Sequence, residues 1–202
     1  AAPYARNNDM QTVRLSLMAV AATLALGATA AQAASYEIDP AHTHTTFEIG
    51  HFGTSTNRAR FDKTTGSIEL DRAHHRGRVD VSIHTDTISS GTEHFDAHLK
   101  SADLFDSARY PTVRFVSDRF VFQGDKLVSV PGQLTLLGKT HPVTLKAVHF
   151  NCYKSPMFNG REVCGGDFET TIDRTQWGMD YLVKMGMPTS VHLITQIEAV
   201  QK

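Results

Sequence analysis

Short stretches in which apolar and polar residues alternate with a period of two run along most of this chain, and they set what it can fold into. Thr45, Phe47 and Ile49 alternate with Thr46, Glu48 and Gly50. In "GRVDVSIHTDTI", Val79, Val81 and Ile83 fall on one face, with Asp80, Ser82 and His84 on the other. "TVRFVSDRFVF", "GQLTLLG" and "HPVTLKAVHF" follow suit, and "SVHLITQIEAV" puts Val191, Leu193, Thr195 and Ile197 on one side. Successive side chains of a strand point to opposite faces, so such segments are strands with one wet and one buried face. Turn signals at Thr65-Gly66, Gln123-Gly124-Asp125 and Gly138-Lys139 separate them. The pattern predicts an all-β sandwich or barrel.

One segment breaks the rhythm. Residues 92–111, "TEHFDAHLKSADLFDSARYP", space Phe95, Leu99, Leu104 and Phe105 at nearly helical intervals, with Pro111 as the stop. An amphipathic segment inside an antiparallel chain closes one end of a barrel, either as a lid over an opening or as a plug on the core.

The chain's beginning reads differently again. Arg14 and the apolar run Leu15–Gly27 follow Met10, and Ala31-Gln32-Ala33 makes a small-residue cleavage site. These are the parts of a secretory signal peptide, shorter than the ~18 apolar residues of a spanning helix. Residues 1–9, upstream of that methionine, are read as an extension outside the fold. Residues 34–202 remain as one domain, exported to the periplasm or secreted, with no transmembrane span. With 20 basic and 21 acidic residues interspersed, the charge balance gives no reason to expect nucleic acid. The two cysteines, Cys152 and Cys164, are an even count at short spacing in an exported chain, which predicts a disulfide. Its spacing suits neither the usual metal motifs nor C-x-x-C redox chemistry.

Histidines offer the alternative chemistry of a metal-dependent enzyme. His42 and His44 share the parity of Thr46 and Glu48, the outward face, whereas His51 shares that of Phe47. The three do not converge, and no metal site is expected from them. No G-x-S-x-G is present, and the adjacent Asp173 and Arg174 beside Trp177 read as a feature closing a strand turn. No catalytic residue or catalytic cofactor is expected.

Four ordered motifs resemble the YceI-like family of exported bacterial proteins. Tyr36, Ile38, Asp39, His42 and Thr43 match its opening, followed by Phe47, Ile49 and His51. Asp96, His98, Leu99, Phe105, Asp106, Tyr110 and Pro111 match its middle signature. Gly132, Leu134, Thr135, Gly138, Thr140, Pro142 and Val143 match a turn element, and Ile172, Arg174, Trp177, Gly178 and Met179 a late one. Two departures stand out. Phe95 replaces the arginine usual before the D-x-H-L aspartate, and the cysteine pair lies outside the common pattern.

The resemblance implies a single lipocalin-like antiparallel barrel of about eight strands, whose interior holds a polyisoprenoid, a quinone-type lipid or another long-chain amphiphile. A scavenger of hydrophobic foreign molecules, drugs and antibiotics included, is the variant reading, and a homodimer is an admissible state. The inward-parity apolar positions are the candidate cavity lining: Phe47, Ile49, Val81, Ile83, Leu99, Phe105, Phe115, Leu134, Leu136, Val143, Leu145, Phe168, Ile172, Trp177, Val191 and Leu193. Each would serve equally as ordinary core, since a barrel needs a packed end as well as a cavity.

Overall fold

The computed structural model describes residues 33–202; the expected signal peptide falls outside them, apart from Ala33 at its end. Twelve strands form one antiparallel sheet: β1 (Ala34–Ile38), β2 (His44–His51), β3 (Ser55–Phe61), β4 (Thr64–Asp71), β5 (Arg76–His84), β6 (Ile88–Ser89), β7 (Thr112–Ser117), β8 (Val121–Gln123), β9 (Lys126–Leu136), β10 (Lys139–Lys154), β11 (Glu162–Asp173) and β12 (Ser190–Gln201).

The twelve amount to eight staves. β1 and β2 both pair with β12, Ile38 opposite Ala199 and Thr45 opposite Thr195, so they form one bent stave. Pro40, which has no N–H to give a ladder, lies in the break between them. β3 and β4 pair with β2 and β1 in turn, and β5 and β6 pair with β4 and β3. Counted this way, each stave neighbours the next in sequence, and β12 closes the barrel on the first. β8 adds a small hairpin to β9. Closure removes the exposed edges that an open sheet would leave for other chains.

The alternation falls inward as the sequence requires. Val79, Val81 and Ile83 are buried, as are Phe115, Leu134, Leu136, Phe168 and Ile172. On the outer face Asp80 receives a two-pronged contact from Arg114, 2.8 and 2.6 Å. The disulfide joins Cys152 and Cys164, which face each other across β10 and β11, with a sulfur–sulfur distance of 2.06 Å.

Three local expectations differ from the fold. Thr65-Gly66 is not a turn: Gly66 lies inside β4 (φ 143°), where a Cβ would sit 2.2 Å from the Asp80 carbonyl, so the glycine admits a close strand approach. "TVRFVSDRFVF" is two strands, because the Ser117 hydroxyl donates to the Arg119 and Pro131 carbonyls and accepts from the Arg119 N–H, turning the chain. The helix of the 92–111 segment, α1 (Glu93–Lys100), ends well before Pro111, where the Ser101 hydroxyl donates to the His98 carbonyl.

Candidate ligand-binding cavity

A cavity of about 310 Å³ runs down the barrel. Its wall collects one or two side chains from nearly every stave: Phe47 and Ile49 from β2, Val81 and Ile83 from β5, Phe115 from β7, Leu134 and Leu136 from β9. Val143 and Leu145 come from β10, Phe168 and Ile172 from β11, Val191 and Leu193 from β12. Leu99 on α1 and Phe105 after it complete the candidates that meet there. Trp177 does not. It is buried beside the wall, its indole N–H donating to the Leu134 carbonyl at 3.2 Å and its ring edge-on to His141.

The two ends differ. At one, Tyr36, Leu70, Leu127, Val130 and Ala199 are buried and seal the floor. The Tyr36 hydroxyl donates to Glu162 Oε1 at 2.6 Å, and Arg72 Nη2 donates to Glu162 Oε2 at 2.8 Å. Burial first, then the neighbouring carboxylate, pushes the Tyr36 phenol well above its ordinary value. At the other end the lining residues His51, Asn57, His98, Tyr181, Leu182 and Met187 are partly or fully exposed, so this end is the mouth. His51 and Asn57 sit on the ends of β2 and β3, whereas His98 on α1 and Tyr181, Leu182 and Met187 on the β11–β12 connection carry no period-two signal. Tyr36 does carry one: it alternates with Glu37 in β1, but the break at Pro40 separates it from the longer run.

Arg174 fixes the mouth's long connection between β11 and β12. Its Nε donates to the Pro188 carbonyl (3.0 Å), Nη1 to Met179 (3.0 Å) and Nη2 to Tyr181 (2.9 Å). Burial pulls the guanidinium below its usual value, opposed by the charges of Asp180 and Asp173. Asp173 Oδ1 accepts from the Thr175 N–H and hydroxyl, capping the following turn. The pair closes a strand turn through separate hydrogen bonds.

Polar groups inside are few. The Thr45 and Thr195 hydroxyls bond each other across β2 and β12 at 3.0 Å. Of the three histidines, His42 pairs with Asp39 at 2.8 Å on the outer surface, and with Glu198 these groups bring ligand atoms within 4.8 Å of one another. His44 and His51 lie elsewhere, His51 at the mouth.

From α1 the connection to β7 is tied down at both ends. The Ser90 N–H and hydroxyl donate to Asp96 Oδ1 at 2.6 and 2.5 Å, and Thr85 bonds the Tyr110 and Pro111 carbonyls. Between the ties Phe105 packs against Phe61 and Phe47, ring centroids 5.1 and 6.2 Å apart. Among the described residues no helix is long and apolar enough to cross a membrane.

Comparison with known proteins places this geometry. A UPF0312 protein of Vibrio cholerae is 32% identical over 176 residues, 86% of this chain and 90% of its own length. The fold is shared with the crystal structure of the Campylobacter jejuni YCEI protein (TM-score 0.61, 21% identity, 76% of this chain and 90% of that one). It is shared too with a polyisoprenoid binding domain from Saccharophagus degradans (TM-score 0.61, 13% identity, 84% and 99%). The family model for the YceI-like domain matches residues 36–199, and the chain belongs to that family.

Proposed function

We propose that this protein is an exported binding protein that holds a long-chain amphiphile, a polyisoprenoid or quinone-type lipid, for transport, storage or sequestration in the periplasm or outside the cell. The observation that carries this reading is the cavity: an apolar channel sealed at the Tyr36 end and open among loops at the other. Its volume falls in the ~300–1,000 Å³ range usual for ligand sites. Each buried methylene contributes ~0.8 kcal/mol, so ten carbons of tail supply about 8 kcal/mol gross before the costs of association. Tail burial then sets affinity, and the polar groups at the mouth set the choice of head group. The fold shared with a polyisoprenoid binding domain supports the ligand class. The basic, apolar and small-residue segments of residues 10–33 support export. A binder rather than an enzyme is supported by Asp173 and Arg174, whose polar atoms are engaged in holding loops.

Organic extraction of protein purified under native conditions, followed by mass spectrometry, tests this. The expected result is one long-chain amphiphile close to stoichiometric with the protein. Ile83→Trp fills the channel from near the end of β5 and should yield far less while keeping the strand signature in circular dichroism. An empty wild-type extract, or a full one from folded Ile83→Trp, would sink the reading.

A further inference from the structure

Beside the mouth, two loop tips carry large apolar side chains into solvent. Phe52, 44% exposed, sits at the tip of the β2–β3 hairpin, and Met185, 71% exposed, on the short turn Val183–Met185 before β12. The tips touch: a Cβ on Gly186 would lie 3.8 Å from the Phe52 ring, and one on Gly50 would lie 3.4 Å from Pro188. Each tip is continuous with the cavity wall, through His51 on the first and through Leu182 and Met187 on the second.

Phe52 is an expensive residue for its place. The turn closes with the Thr54 N–H on the His51 carbonyl (2.9 Å) and holds Phe52 and Gly53 both left-handed, φ 48° and 73°. That is the type I′ pattern, which favours Asn, Asp or Gly at its first central position. The hairpin at Leu137–Gly138 has the same left-handed pair, but there the leucine packs against the core, which offsets its backbone cost. Phe52 stays outside the core: its ring meets the His51 ring edge-on, centroids 5.0 Å apart, and the Gly186 tip. A local rule broken without a core contact in return points to a use outside the fold.

The charge around these tips selects the partner. Residues 50–57 and 181–188 contain no carboxylate, the nearest in sequence on the second tip being exposed Asp180 at its base, and Lys184 stands exposed next to Met185 at its apex. An aromatic ring, a thioether and a lysine at the rim of an apolar channel match the interface of an anionic bilayer, with apolar tips among the acyl chains and the ammonium among the head groups. We propose that the Phe52 and Met185 tips dock the mouth of the barrel on an anionic lipid bilayer. The proposal rests on the reading of the cavity as a lipid site, because docking there would let cargo pass between membrane and channel without crossing water.

Flotation of the protein with vesicles of phosphatidylglycerol and phosphatidylcholine, free of any isoprenoid, reads docking apart from cargo. The wild type should float with mixed vesicles. Phe52→Ser with Met185→Ser should lower the bound fraction at least about fivefold, and Lys184→Gln should lower it on mixed vesicles but not on pure phosphatidylcholine. Phe52→Asn is the sharper variant, since it suits the left-handed turn and should raise the melting temperature while weakening docking. Failure of the wild type to float, undiminished flotation of the double variant, or a change in sedimenting mass showing that the tips pair two copies would each overturn the proposal. Extraction of cargo from the same variants separates the two readings. Full cargo with no docking overturns this one alone, and docking with no cargo overturns the lipid site.

Discussion

Tyr36 concentrates the physics of the sealed floor in one side chain. Its ring fills the end of the channel, and its hydroxyl must find a partner there, because an unpaired buried donor costs more than a made bond returns. Glu162 accepts that bond while Arg72 holds the other carboxylate oxygen. Burial and the adjacent carboxylate both favour the neutral phenol, so its folded value lies above its unfolded value near ~10. The associated stability is therefore complete below about pH 10 and is lost as pH rises beyond it. Tyr36→Phe should cost about 1 kcal/mol at pH 7. The gap between wild type and variant should then narrow above about pH 10, which urea melts at the two pH values would read. An unchanged gap would mean that the phenol does not ionise differently on unfolding.

At the scale of elements, the question is whether α1 and the turns after it move. The segment is fastened at its start by Asp96, whose carboxyl the Ser90 hydroxyl and N–H hold below the usual carboxylate range. Because that value is depressed, the fastening holds above about pH 4 and fades as pH falls through the folded value. Asp96→Asn weakens the tie without touching the channel wall, since Asp96 is not part of the lining. Release of a fluorescent isoprenoid analogue in stopped flow should then speed up several-fold at pH 7 with unchanged capacity. Wild type should approach the variant's rate as pH falls below about 4. A rate indifferent to Asp96→Asn would make the segment a fixed plug, consistent with the packing of Phe105 on Phe61 and Phe47. The faces of the strands were legible in the sequence because a period of two admits one inward parity, as at Val79, Val81 and Ile83. The breaks were less so. Nothing in the local pattern around Asp62-Lys63 or Thr85–Thr87 says that the chain resumes in the same stave, which the pairings with β1 and β2 decide.

Over the whole molecule, the wall of the cavity and its rim differ in kind. Positions such as Leu134 and Leu136 follow from alternation alone. His51, Tyr181, Leu182 and Met187 come together from a strand end and a long connection, whose course depends on Arg174 gathering three carbonyls into one place. Trp177 carries the same apolar label as its neighbours but lies on a tight turn, Arg174–Trp177, where strand parity has no meaning. The barrel's own seam lies between its first and last strands. Tyr36 pairs with Gln201, and the Lys202 N–H reaches the Ser35 carbonyl at 2.9 Å, so the two ends of the fold meet at the sealed floor. The order in which the staves are threaded is thus incidental to their closure. A circular permutant with Lys202 joined to Ala34 by a few glycines, and new ends cut at the open Gly124-Asp125 turn, should fold and hold as much cargo as the parent, by melting temperature and extraction. A bead, dye or partner domain hung from residue 34 would likewise hang from the far side of the barrel, leaving the rim free to face whatever surface it meets.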